Sequence, residues 1–252
     1  MPQRKLSGKK TVTLRGKNLN VVIAPGAEII VLHEISSRGK TSVSVTCGVR
    51  SRVAWNTRIH ATDVTLRQSG AVGAGAEIVW RTLSEGDGID AELLSHVTGR
   101  NAKSSIEWTF IGHGSERQNI SAKNIFSAPG GRGEIIMRGI AEGKSQIIAR
   151  GLIGIGKKGA RTSTHLTQDI LMLDPTAKVD AVPALEIKTN DVKASHSATI
   201  SRVTPEHLFY FQSRGIPEKK ARAMYTEGFL GELISRITNE KIRKYAAAMI
   251  MQ

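Results

Sequence analysis

Between about residue 11 and residue 200, apolar residues recur with period two or in short β-branched runs, and clusters of Gly, Asn, Asp and Ser separate the runs. Val21-Val22-Ile23, Ile29-Ile30-Val31-Leu32, Val43-Ser44-Val45-Thr46-Cys47 and Ile135-Ile136-Met137 are examples. Helical spacing is rare here, so the pattern predicts many short strands. Gly26-Ala27-Glu28-Ile29-Ile30, Gly75-Ala76-Glu77-Ile78-Val79 and Arg132-Gly133-Glu134-Ile135-Ile136 also share a small-Glu-apolar-apolar order. Units of this size bury little alone, but stacked as rungs they share one continuous core, which is the logic of a β-helix. A sandwich or closed barrel would also accommodate many short strands. Asp87-Gly88 is the one hairpin dipeptide of the Asn-Gly or Asp-Gly kind, and that scarcity favours the β-helix.

After Ser201 the period changes to 3.6. Thr204 is a good N-cap, Pro205 suits the first helical position, and Glu206 complements the positive end of the helix dipole, so a first helix is expected from Pro205 to about Arg214. Gly215 supplies a left-handed stop and Pro217 opens a second helix. In that helix Ala221, Met224, Tyr225, Gly228, Leu230, Leu233, Ile234 and Ile237 form the apolar face, with Lys219, Lys220, Arg222 and Glu232 mostly on the wet one. Asn239 is placed to cap a third helix through Ala248. The expected organisation is mainly β: residues 1–203 as the core, the first ~15 of them a flexible tail, and residues 204–252 as a small α-helical domain. The stretch from Val182 to Gly215 joins the two.

Charge widens the list of partners. Lys and Arg outnumber Asp and Glu by 36 to 22, a net charge of +14, which calls for an acidic partner, nucleic acid or a solvated basic face. Aromatic residues are only 4% of the chain, poor provision for base stacking, so a basic nucleic-acid-binding module is the alternative and not the leading reading. The single cysteine, Cys47, excludes an internal disulfide and points to a reducing cytoplasm. The start of the chain lacks an apolar signal core, and no window is apolar enough for a membrane span.

Short motifs add little chemistry. Gly154-Ile155-Gly156-Lys157-Lys158-Gly159 matches G-x-G-x-x-G, but Arg161-Thr162-Ser163-Thr164 follows where a dinucleotide fingerprint needs a helix, so a tight turn is expected. Gly112-His113-Gly114-Ser115 lacks a nucleophile elbow and reads as a polar turn. The seven histidines show no close ligand spacing. Of these, His165 reads as a β-surface residue and His207 as a solvated residue of the first helical turn. Cys47 ends an alternating strand, where a buried, inert thiol is the commoner outcome.

Gln168-Asp169-Ile170-Leu171-Met172-Leu173, Val182-Pro183-Ala184-Leu185-Glu186-Ile187 and Asp191-Val192-Lys193-Ala194-Ser195-His196-Ser197-Ala198-Thr199 occur in order, followed by Leu208-Phe209-Tyr210-Phe211-Gln212-Ser213-Arg214-Gly215-Ile216 and Gly228-Phe229. This ordered set resembles the core region of SufB and SufD, scaffold proteins of the SUF iron–sulfur cluster assembly system. The resemblance implies a right-handed parallel β-helix followed by a helical domain. It also implies pairing through the β-helix edge with a SufB-like subunit or an identical copy, and docking of a SufC-like ABC-type ATPase through the C-terminal helices. On that footing the chain is a non-catalytic scaffold, with ATPase activity in SufC, in line with the lack of a phosphate loop in this sequence. The cluster is transient cargo at a subunit interface, not required in the isolated chain.

Carried over residue by residue, the resemblance makes His196 the candidate cluster-site ligand and Asp169 a weaker one. Family members of the SufB kind tend to carry a cysteine near Asp169 and a glutamate near Ser197, and this chain has neither, so it resembles SufD more closely. Cys47, followed by Arg50-Ser51-Arg52-Val53-Ala54-Trp55, is a weak candidate for sulfur handling. Leu208, Phe209, Phe211, Arg214, Ile216, Phe229 and Leu230 are the candidates for ATPase docking. The long N-terminal helical region of larger members has no counterpart here, which implies a compact form.

Overall fold

A computed structural model describes residues 3–237 and 239–250. The first half of the strands comprises β1 (Gln3–Leu6), β2 (Lys9–Leu14), β3 (Asn18–Ile23), β4 (Glu28–Ile35), β5 (Gly39–Cys47), β6 (Arg52–His60), β7 (Val64–Val72) and β8 (Glu77–Glu85). The second half comprises β9 (Ile89–Val97), β10 (Lys103–Gly112), β11 (Arg117–Phe126), β12 (Arg132–Ala141), β13 (Gln146–Ile155), β14 (Thr162–Met172), β15 (Lys178–Ile187) and β16 (Val192–Arg202). Three helices follow, α1 (Pro205–Gln212), α2 (Glu218–Ser235) and α3 (Glu240–Ile250).

Odd-numbered strands form one eight-stranded sheet and even-numbered strands the other, each in sequence order. All the strand pairings between neighbouring coils are parallel, for example Trp55 opposite Trp80 and Ile106 opposite Ile135. The chain is therefore a parallel β-solenoid, and the sandwich and barrel alternatives are set aside. Residues 3–14, expected as part of a flexible tail, instead supply β1 and β2, because their backbone groups pair with β3 and β4. The shared small-Glu-apolar-apolar order is only partly in phase. Glu28 and Glu77 both pair with Arg52, whereas Arg132 takes the register position of Lys103, so Glu134 falls two residues further along.

Side-chain alternation sends every second residue inward, and parallel register turns those positions into columns. One column runs Val31, Trp55, Trp80, Ile106, Ile135, Leu166 and His196 along the even-numbered sheet. A second runs Ile23, Cys47, Val72, Val97, Phe126, Ile155 and Ile187 along the other. The internal members of both columns are buried. Polar groups inside pair with one another: Trp55 Nε1 donates to Thr57 Oγ1 at 3.2 Å, and Trp80 Nε1 to Ser95 Oγ at 3.1 Å.

The helices pack on the outside of the even-numbered sheet. Leu83, Ile111, Ile140, Leu171 and Leu173 from the solenoid join Leu230, Ile234, Ile237, Ile242 and Ala246 in a second apolar cluster. Helix α1 begins as the caps predict: Thr204 Oγ1 accepts from the His207 N–H at 3.4 Å, and the Thr204 N–H donates to His207 Nδ1 at 3.3 Å. It ends at Gln212, two residues earlier than expected, and Gly215 takes φ 75° in the turn that follows. Pro217 caps α2 from outside the helix, and Asn239 Oδ1 accepts from the Ile242 N–H at 3.2 Å to start α3. The buried face of α2 is rotated from the expected one: Thr226 is inside while Met224 and Gly228 face solvent. Arg222 and Glu232 are likewise drawn to the solenoid, because Leu173 and Asp174 receive the first and Arg138 the second.

Candidate functional site at the open end of the solenoid

Strands β15 and β16 form the last coil, and among the described residues no strand lies beyond them. Their inward rows are covered on one side only: Val179, Ala181, Leu185, Val192 and Ala194 stay half-buried against the core, and the far ends of the rows are bare. Ile187 is 43% exposed and Ile200 45% exposed, although the residues in register with them one coil earlier, Ile155 and Ile170, are buried. His196 stands in this same row, opposite buried Leu166, and is itself exposed. A solenoid that stops this way leaves core-type side chains facing solvent at its end.

Asp169 is one strand back but faces the other way. It shares the outward row with Arg138, whose Nη2 donates to Asp169 Oδ2 at 3.2 Å. The same guanidinium reaches Glu232 Oε2 at 3.0 Å and the Phe229 carbonyl at 3.4 Å, and lies 5.6 Å from the centre of the Phe229 ring. Its hydrogen bond to Glu232 is the first cause holding that carboxyl below its usual range, with Arg236 contributing. Asp169 therefore belongs to the joint that holds α2 on the sheet. Chain order gives no hint of this joint, which links residues 94 positions apart.

Cys47 is 2% exposed, and burial pushes its thiol up to about 12, far from the range of a reactive thiolate. Five strand spacings separate it from Ile187 in its column, roughly 24 Å at 4.8 Å each. The structure thus does not bring Cys47, Asp169 and His196 together. Trp55, from the segment after Cys47, is a core residue, and the Ser51 hydroxyl donates to the Gly48 carbonyl at 2.8 Å. Among the described residues no group of three or more His, Cys, Asp or Glu side chains is placed to hold a metal ion. His165 Nδ1 sits 2.8 Å from Ser195 Oγ on the outer face, a satisfied β-surface histidine. His113 lies in a polar turn, with its Nδ1 2.8 Å from Glu142 Oε2. The Gly156–Gly159 segment is a tight turn closed by a 2.8 Å backbone hydrogen bond.

The docking candidates divide by exposure. Leu230 is fully buried in the second apolar cluster, and Leu208 is nearly buried. Phe229 is half-buried beneath Arg138, and Phe211 packs on Tyr225 with ring centres 5.4 Å apart. Ile216 is half-buried in the α1–α2 turn. Phe209 is 69% exposed, and Arg214 lies over the ring of Tyr210 at 5.0 Å. Tyr210 and Met224, absent from the expected set, are exposed as well. A helical wheel of α1 alone leaves the outward position of Phe209 and Tyr210 undecided, since it is set by which side of α1 meets α2.

The chain is thus a parallel β-solenoid whose last coil carries no further strand among the described residues and whose helical tail packs on one sheet. The SUF system FeS cluster assembly SufBD core domain is matched over residues 8–229, and the chain belongs to that family. It is similar to the iron-sulfur cluster assembly protein SufD of Bacillus subtilis (strain 168), with 27% identity over 186 residues, 73% of this chain and 42% of that protein. An iron-sulfur cluster assembly SufBD family protein of Staphylococcus haemolyticus is 33% identical over 152 residues, 60% of this chain and 32% of the relative. One from Mycobacterium bovis is 28% identical over 168 residues, 66% of this chain and 20% of the relative. The chain thus spans less than half the length of these curated relatives, and within the family it is SufD-like. The family is described as one of iron–sulfur cluster assembly in the SUF system. Among the described residues no helix is long and apolar enough to cross a membrane.

Proposed function

We propose that this chain is a non-catalytic scaffold subunit of a cytoplasmic iron–sulfur cluster assembly complex, with residues 1–203 as the pairing unit and residues 204–252 as the docking unit. It pairs through the last coil of its solenoid with a SufB-like subunit or a second copy of itself. The observation that carries this reading is the bare far ends of the inward rows of β15 and β16, where Ile187, His196 and Ile200 lie at the end of columns that are buried everywhere else. A partner strand seated on this end would restore burial. It would also bring its own ligands to His196, whose imidazole could donate one nitrogen to iron in the cluster being built. Cluster iron and sulfide are cargo here, and thiolate ligands come from the other subunit. Asp169 stays with Arg138 and Cys47 stays inside the core, so neither has a part in this scheme.

A SufC-like ATPase docks on the α1–α2 side, where Phe209, Tyr210, Arg214 and Met224 offer an exposed apolar and cationic surface. Native mass spectrometry of the chain co-expressed with a SufB-like subunit and an ABC-type ATPase tests the proposal. The expected result is a complex containing all three, or two copies of this chain with the ATPase. Recovery of the lone chain under reducing, anaerobic conditions would overturn it.

A further inference from the structure

The turns leading from each odd-numbered strand to the next even-numbered one stack into a ladder along one edge of the solenoid. The N–H of Gly26 donates to Val49 O at 2.9 Å, Arg50 to Ala74 O at 3.0 Å, and Gly75 to Arg100 O at 2.9 Å. Asn101 continues to Pro129 O at 3.0 Å, Gly130 to Ala160 O at 2.8 Å, and Arg161 to Asp191 O at 2.6 Å. Every donor has positive φ, from 55° at Asn101 to 73° at Gly130. Glycine accepts that conformation freely and an arginine does not. Arg161, at φ 60°, is therefore held against its own backbone preference.

A line of charges runs beside this ladder at the start of the even-numbered strands. Lys9, Glu28, Arg52, Glu77 and Lys103 are successive register neighbours of alternating sign, with Lys9–Glu28 at 3.1 Å, Arg52–Glu28 at 3.5 Å and Lys103–Glu77 at 3.8 Å. The alternation then stops: Arg132 follows Lys103, and Ser163 and Lys193 follow Arg132. At this break lies a cleft of about 570 Å³ lined by Arg100, Asn101, Lys103, Gly130, Arg132 and Arg161. Four cations face it and no carboxylate lines it. Gly130 adds no side chain between the rungs of Asn101 and Arg161, and a Cβ there would collide with the Asn101 side chain. Since the turn N–H groups are spent on the ladder, recognition falls to the guanidinium forks and the ammonium group. Planar guanidinium pairs match phosphate oxygens.

We infer that this cleft binds a compact oligophosphate group, free or carried by a nucleotide. From the rung of Asn101 to that of Arg161 is two strand spacings, roughly 10 Å, the reach of two or three linked phosphates. Glu77 bounds the cationic run on one side, and on the other Ser163 separates Arg132 from Lys193.

Calorimetric titration of the full chain with tripolyphosphate and with ATP at about 0.1 M salt tests the inference. Binding of tripolyphosphate is expected; tighter binding of ATP would mark a nucleotide as the source, and equal or weaker binding a free oligophosphate. Arg132→Gln and Arg161→Gly are each expected to weaken binding about tenfold. Arg161→Gly is also expected to hold or raise the melting temperature, because glycine relaxes the left-handed rung. A residue kept only for structure would lower it. No heat from either phosphate, or affinities untouched by both variants, overturns the inference. So does affinity for single-stranded oligonucleotides that keeps rising with length, which would mark a polymer track.

Discussion

Leu166 and His196 are register partners in one inward-facing column, and Leu166 is wholly buried while His196 is exposed. The difference comes from position alone: β14 has a coil on either side and β16 has one. Asp169, three residues beyond Leu166, falls on the opposite face with Arg138. The His196→Ala variant is therefore expected to change unfolding free energy by less than about 0.5 kcal/mol, as a surface substitution does. Cluster loading of the reconstituted complex should fall. Thermal unfolding and anaerobic reconstitution, read together, check it, and undiminished loading would make His196 a structural edge residue.

Arg138 connects Asp169, Glu232 and the Phe229 carbonyl, so its loss strips three contacts from the joint between sheet and tail. Arg138→Ala is expected to destabilise the docked α2 by about 1–3 kcal/mol. Hydrogen exchange should accelerate in α2 while β4 to β8 keep their protection.

Cys47 carries a pH signature. Its thiol is raised by burial from 9.0 to about 12, so the folded state favours the protonated form. The sign follows: the associated stability is full below pH 9 and is lost as pH rises through about 12. At pH 8 alkylation should be very slow in the native chain and rapid once it unfolds. A fast native reaction at pH 8 would contradict the buried placement.

His33 gives the opposite slope. Burial is the main cause that lowers its pKa, its Nδ1 is buried without a partner, and Nε2 lies 3.4 Å from the Gly16 carbonyl. A depressed histidine contributes stability above its unfolded value near 6.5, and that stability is lost as pH falls through the folded value. His33→Gln should flatten the pH dependence of chemical unfolding below about pH 6.5, and an unchanged slope would place the titration elsewhere.

The two ends of the docking set should separate by effect. Phe209→Asp is expected to leave stability within about 0.5 kcal/mol, since the ring is 69% exposed, yet to reduce ATPase co-purification at least tenfold. Leu230→Ala should cost about 2–5 kcal/mol through the cavity it opens in the second apolar cluster. Equal capture by wild type and Phe209→Asp would move the docking surface away from α1.

The sequence by itself determined the local choices. Alternation and β-branched runs set the strands, and Thr204, Gly215 and Asn239 mark helix boundaries, because periodicity and capping act over a few residues. The β-helix was only favoured by the residues over a sandwich or barrel, because many short strands suit all three, and the resemblance to SufB and SufD decided between them. Register was not. The coil repeat is 24 residues from Glu28 to Arg52 but 29 from His113 to Glu142, and the third small-Glu-apolar-apolar unit lies out of phase with the other two. The burial of Cys47 followed from its alternating strand, but only the tertiary structure decided that Asp169 and His196 face opposite ways and that Arg100, Lys103, Arg132 and Arg161 gather in one cleft. Each depends on which residues from distant coils lie side by side. Strand pairing and burial across the whole solenoid fix that, and no short-range pattern encodes it.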